Sequence, residues 1–94
     1  MKYEVKLGAK SIYIGESPEQ AIGVIDYYLN RNGNIVATHT EVNKEYRGQG
    51  LAFLLFKRLI ELAIEKDTKI VPYCSYISEM LEKPEYNDYL YKKF

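Results

Sequence analysis

The stretch Thr38-His39-Thr40-Glu41-Val42-Asn43-Lys44-Glu45-Tyr46-Arg47-Gly48-Gln49-Gly50-Leu51-Ala52 decides how the chain is read. A strand-like run ends, a polar loop follows, and two glycines lead directly into an apolar segment. The run begins at Ile35, just after Asn30-Arg31-Asn32-Gly33-Asn34, whose residue types are those of a turn. Its β-branched residues predict a strand over 35–42. Beyond the glycines the period changes. Over residues 50–65, Lys57, Arg58, Glu61 and Glu65 fall within about 100° of arc at 100° per residue. Nearly everything else there is apolar. The segment therefore predicts a helix with one narrow wet stripe, lying on a sheet and flanked by other elements.

Upstream, residues 22–29 are rich in β-branched and aromatic side chains and run into the same turn, which predicts a strand antiparallel to 35–42. Residues 3–7 and 11–16 alternate apolar with polar around the short turn Gly8-Ala9-Lys10, which predicts a hairpin. Downstream, Lys66-Asp67-Thr68 stops the helix and residues 69–73 predict a short strand. Pro72 has no N–H, so it belongs at a strand end or on an edge. Ser75 can cap a short helix to about Leu81, Pro84 can start another through Tyr91, and the tail Tyr91-Lys92-Lys93-Phe94 is expected to fray. The strand–helix–strand segment 35–73 is long enough for a right-handed crossover between parallel strands. The fold class is thus α/β of the α+β kind: a mixed, mostly antiparallel sheet with its main helix on one face.

Composition narrows the function. The 94 residues allow one small domain over 1–94, without internal repeats or a linker. Thirteen Lys+Arg balance thirteen Asp+Glu, which argues against a strongly basic nucleic-acid binder. The only cysteine, Cys74, excludes an internal disulfide and fits a reducing compartment. Residues 1–6 carry no apolar run of the signal-peptide kind, and no segment approaches 18 apolar residues, so the expectation is a soluble, cytoplasmic domain with no membrane partner. One histidine and one cysteine do not make a ligand set, so no metal is expected.

The two glycines carry the chemistry. Glycines let backbone N–H groups approach a ligand closely, and the unpaired amides at a helix start favour an anion such as phosphate. Arg47 adds a forked, permanently charged donor beside them. The plainer reading is a tight turn that closes the helix against the strand, and spacing by itself leaves both open.

Arg47-Gly48-Gln49-Gly50-Leu51-Ala52 resembles the Arg/Gln-x-x-Gly-x-Gly/Ala signature of the GNAT acyltransferase superfamily, placed after a strand and opening a helix. Thr38-His39-Thr40-Glu41-Val42, Tyr46 to Gly50, Val71-Pro72-Tyr73-Cys74-Ser75-Tyr76 and Lys83-Pro84-Glu85-Tyr86 together resemble its very short, YjdJ-like members. The resemblance implies a minimal acetyltransferase fold in which two neighbouring parallel strands, here 35–42 and 69–73, splay apart. It also implies acetyl-CoA as co-substrate, with the pantetheine arm entering between those strands. The pyrophosphate would sit on the amides of Arg47, Gly48, Gln49, Gly50, Leu51 and Ala52. Arg47, with Lys44 and Lys57, would neutralise the nucleotide phosphates. Backbone groups of Val42 would hold the pantetheine amide or the thioester carbonyl, an oxyanion-type role.

Strand alternation puts Glu41 on the same face as His39, Ala37 and Ile35. Acyl transfer to an amine needs a base, and a carboxylate beside a partly dry cleft can serve. The resemblance supports a base near Glu41; the alternative is an exposed strand-end glutamate. Cys74 precedes a predicted helix, where a thiol can gain nucleophilic character. The resemblance places it near the acetyl-CoA site, as acyl relay or beside the cofactor sulfur; the alternative is a small buried hydrophobe. By position, the resemblance also offers Tyr76 as proton donor to the departing thiolate. His39 reads as a buried, hydrogen-bonded strand residue, although a Cys74–His39 thiol hydrolase dyad is imaginable.

The chain lacks the long helices that wall the acceptor side in full-length GNAT enzymes. Its acceptor groove should then be shallow, suiting a bulky amine such as a protein's, or be completed by a partner. The competing function is a non-catalytic acyl-CoA-binding or protein-interaction module.

Overall fold

The structure is a computed structural model that describes residues 3–92. Five strands form one sheet in chain order: β1 (Lys6–Leu7), β2 (Ser11–Gly15), β3 (Ala21–Leu29), β4 (Ile35–Val42) and β5 (Ile70–Pro72). The first four pair antiparallel and β4 pairs parallel with β5, joined through helix α1 (Leu51–Lys66). A second helix, α2 (Ser75–Leu81), follows β5. This is the mixed, mostly antiparallel sheet with one parallel pair that the pattern predicts.

Helix α1 lies across β2, β3 and β4, and α2 packs beside it over β4 and β5. Leu51, Leu55, Phe56, Leu59, Ile60, Leu62 and Ala63 bury the inner side of α1 against Ile12, Ile14, Ile25, Tyr27, Ile35 and Ala37 of the sheet. The wet stripe is broader than the charged residues suggest, because Phe53 and Ile64 are exposed along it. Asp67 closes α1 in the left-handed conformation at φ 51°, its N–H returning to the carbonyls of Ala63 and Ile64.

Three expectations are corrected. The strand expected over 3–7 joins the ladder only at Lys6 and Leu7. Its continuation would face the end of β2, where the register shifts between Ile14 and Gly15. The helix expected from Pro84 through Tyr91 is a series of turns ending in a 3-10 turn at Asn87–Tyr89. Tyr86 is drawn inward, its ring edge-on to Phe56 at 5.0 Å, while Tyr89 and Leu90 pack on the core. The tail is also tied down as far as described: Leu90 bridges Ile70, and the Tyr91 N–H donates to the Ile70 carbonyl at 2.9 Å. Lys93 and Phe94 lie outside the described residues.

The feature that positions the site is a bulge in β4. Asp26 pairs with His39 and Tyr27 with Ala37, so Thr38 is an extra residue in the ladder. Alternation is broken there. Ile35 and Ala37 face the core and are fully buried, whereas His39 and Glu41 project from the opposite face. Thr40 and Val42 take over the side that faces α1, as their pairing with Ile25 and Gly23 requires.

Candidate active site

The parallel pair is short. Ile35 N–H donates to the Lys69 carbonyl, and the Tyr73 N–H donates to the Ala37 carbonyl, both at 2.9 Å. Beyond this point β5 has ended at Pro72, while β4 runs on to Val42. The Asn43 N–H donates to the Ile22 carbonyl at 2.7 Å, so by antiparallel alternation the main-chain groups of Val42 and Thr40 point away from β3. They face the gap left by β5. Here a cleft of about 420 Å³ opens, lined by Thr40, Glu41 and Val42 of β4, by Tyr46 and Arg47, by Gly48 and Gly50 to Phe53, and by Tyr76 of α2.

The mouth of the cleft is built from a loop that withholds acceptors from its own amides. Asn43 caps a 3-10 turn at Lys44–Tyr46, its side-chain oxygen accepting from the Glu45 N–H at 3.0 Å. The Arg47 Nε donates to the Val42 carbonyl at 3.0 Å, tying the loop to the end of β4. Gly48 and Gly50 then adopt φ of 85° and 78°, a conformation open to glycine at no steric cost. Gly50 is the N-cap of α1 and offers no side-chain cap. Among the described residues, none accepts a hydrogen bond from the amides of Gly48 through Phe53. Such a run of free donors at the head of a 16-residue helix is suited to an anion.

The predicted residues fall into groups. Val42, Arg47, Gly48, Gly50, Leu51, Ala52 and Tyr76 line one cleft. Gln49 sits in the loop but turns aside, its Oε1 accepting from the Tyr3 hydroxyl at 2.8 Å. Lys57 does not line the cleft; its Nζ stands 5.8 Å from the ring centroid of Phe53, which does. Lys44 lines a neighbouring hollow of about 440 Å³, which shares Glu41 and Arg47 with the cleft. Glu41 is therefore at a boundary. Its side chain is 64% exposed and its Oε1 lies 3.3 Å from His39 Nε2. It shares a face with His39 as expected, but the bulge removes Ala37 and Ile35 from that face. His39 itself is 55% exposed, which corrects the expectation of a buried histidine.

Cys74 is half-buried just behind the cleft, beside Thr40 rather than in the lining. Its thiol donates to Thr40 Oγ1 at 3.2 Å. Burial pushes the thiol pKa up, but the Thr40 hydroxyl, the amides of Ile77 and Tyr76 and the Thr40 main chain more than offset this and leave it below its ordinary value. The Cys74–His39 dyad does not form, because Thr40 and His39 are consecutive on β4 and point to opposite faces. Tyr76 stands edge-on to Phe56 at 6.5 Å. Burial, with Tyr86 and Cys74 beside it, raises its pKa, so its hydroxyl keeps its proton at neutral pH. Sequence reasoning missed Thr40 and Tyr3; each meets its partner across more than thirty positions, and no local signal marks either contact.

Comparison with known proteins agrees with this architecture. The GCN5-related N-acetyl-transferase family model matches residues 11–89. The zebrafish (Danio rerio) protein NATD1 is 27% identical over 90 residues, covering 96% of this chain and 80% of its own. The NMR structure of a GCN5-like protein from Staphylococcus aureus superposes with a TM-score of 0.78 at 36% identity, covering 97% of this chain and 90% of that one. A ribosomal-protein-alanine N-acetyltransferase from Brucella melitensis biovar Abortus 2308 shares the fold at a TM-score of 0.56 and 21% identity, and this chain spans 63% of its length. With the family model matching residues 11–89 and a GCN5-like structure superposing over nearly the whole chain at 36% identity, the chain belongs to the GCN5-related N-acetyltransferase family.

Proposed function

We propose that this protein binds acetyl-CoA in the cleft between β4 and β5 and transfers its acetyl group to an amine. The observation that carries the reading is the run of acceptor-free amides from Gly48 to Phe53 at the mouth of that cleft. They suit the diphosphate of the co-substrate, with Arg47 adding positive charge. The outward-facing main chain of Thr40 and Val42 suits the amides of a pantetheine arm, which would extend the sheet where β5 stops. The lining of Val42, Leu51, Phe53 and Tyr76 offers a thioester an apolar wall.

The acceptor nitrogen attacks the thioester carbonyl, a C–N bond forms and the C–S bond breaks. Main-chain donors near Val42 stabilise the oxyanion. Glu41, directly or through a water, takes the amine proton at the boundary between the cleft and the neighbouring hollow. Tyr76, which burial keeps protonated, gives its proton to the departing thiolate. Cys74 lies near the sulfur's place and touches Thr40, a position from which a relay would require entry of the thiol into the cleft. A bulky acceptor, such as an amine on a protein, suits the open hollow beside Glu41.

The exposure of Glu41 favours one second reading, a module that binds acyl-CoA without efficient turnover. Amide NMR titration with CoA, followed by thiol release from acetyl-CoA across free polyamines and protein amines, tests both. Shifts at residues 47–52 with release on a protein acceptor are expected. Unmoved resonances there would remove the co-substrate from this cleft, and binding without release would leave the module.

A further inference from the structure

We propose that Tyr3 is a positioning residue for the phosphate-gripping loop, acting through Gln49; the inference rests on the co-substrate reading above. Gln49 stands between two glycines in the left-handed region, and no atom lies within 4 Å of where a Cβ would stand at either. Packing therefore does not hold this segment. Among the described residues, two side-chain tethers reach it. Arg47 Nε bonds the Val42 carbonyl at 3.0 Å just before the glycines, and the Tyr3 hydroxyl donates to Gln49 Oε1 at 2.8 Å between them.

The second tether comes from a firm support. The Tyr3 ring is half-buried and packs against the hydrophobic core, which supports its hydroxyl beside the loop. With its side chain held, Gln49 restrains the two flanking peptide units, whose N–H groups must converge to grip an anion. Donors already in place bind more tightly than donors that must be ordered on binding. Tyr3, which precedes β1 and lies outside the sheet ladder, thereby serves the cleft. A pantetheine arm alongside β4 does not reach this loop, so the contribution is specific to the diphosphate.

The test compares Tyr3→Phe, Gln49→Met and the double variant with the wild type in NMR titrations of CoA and of pantetheine, which has no diphosphate. Tyr3→Phe keeps the ring and its packing. Each single variant is expected to weaken CoA binding about three- to fivefold, the double variant no further, with pantetheine affinity unchanged. In the free protein, the amide order parameters of Gly48 to Gly50 should fall in Tyr3→Phe. Unaltered CoA affinity and order parameters, or an equal loss for pantetheine, would overturn the bracing role while leaving the co-substrate reading intact. Failure of the wild type to bind CoA would overturn both.

Discussion

The two ends of β4 do different work with the same backbone. Ile35, Val36 and Ala37 are buried, and this end is paired to β3 on one side and β5 on the other. Past the bulge, His39 to Val42 keep β3 but have no strand on the other side, and their side chains are exposed or half-buried. The first end contributes stability through apolar burial and a complete set of hydrogen bonds. The second leaves its outward edge without a strand beside an apolar wall, an arrangement that favours a ligand able to extend the sheet. The cleft here is a stretch of sheet that was begun and left unfinished.

Substitutions along this strand and its loop should separate the two roles, in decreasing order of their effect on stability. Ile35→Ala, at a fully buried position, should cost about 2–5 kcal/mol in chemical denaturation. If the paired end is as important as its burial implies, no variant past the bulge should equal it. Gly50→Val forces a β-branched residue to φ 78° with no neighbour to clash, so about 1–2 kcal/mol is expected from backbone strain alone. The same variant should weaken CoA binding at least tenfold by calorimetry, because it displaces the amides proposed to hold the diphosphate.

Thr40→Val should change stability by less than about 1 kcal/mol, since the site is half-buried and the volume is kept. It removes the first of the interactions that lower the Cys74 pKa, so iodoacetamide alkylation should set in at higher pH than in the wild type. The sign follows from linkage. A thiol whose pKa is lower folded than unfolded adds stability fully above its unfolded value of about 9, and that stability is lost as pH falls through the folded value. The variant's deficit should therefore be visible in alkaline denaturation and vanish toward neutral pH. Glu41→Gln, at an exposed carboxylate, should alter stability by no more than about 0.5 kcal/mol. Its transfer rate should nevertheless fall about 10²-fold if Glu41 takes the amine proton. An unchanged rate would assign the proton to another group.

Much of this arrangement was legible in the residue pattern because it follows from local rules. The turn at Asn30 to Asn34, the β-branched run and the glycine pair place β4 over 35–42 and start α1 within one residue. The loop's capacity for an anion could be read from the same glycines. What could not be read depends on residue counts and distant partners. Nothing in Thr38-His39 distinguishes a bulge from regular strand, yet that one residue sends Glu41 and His39 to the outer face. The segment after Pro84 has an acceptable helical start but yields to the packing of Tyr86 on Phe56. Thr40 with Cys74, and Tyr3 with Gln49, are contacts made by the fold alone.

The added residue at Thr38 works as a phase shift along the chain. Deleting it would leave nearly the same composition and the same propensities, but would exchange which alternate positions meet a ligand and which meet bulk water. No replacement of one side chain by another can mimic that exchange. In distant kin of this protein, the spacing from the Asn-rich turn to the glycine pair should therefore report whether the pocket survives more reliably than the identity of any residue within it.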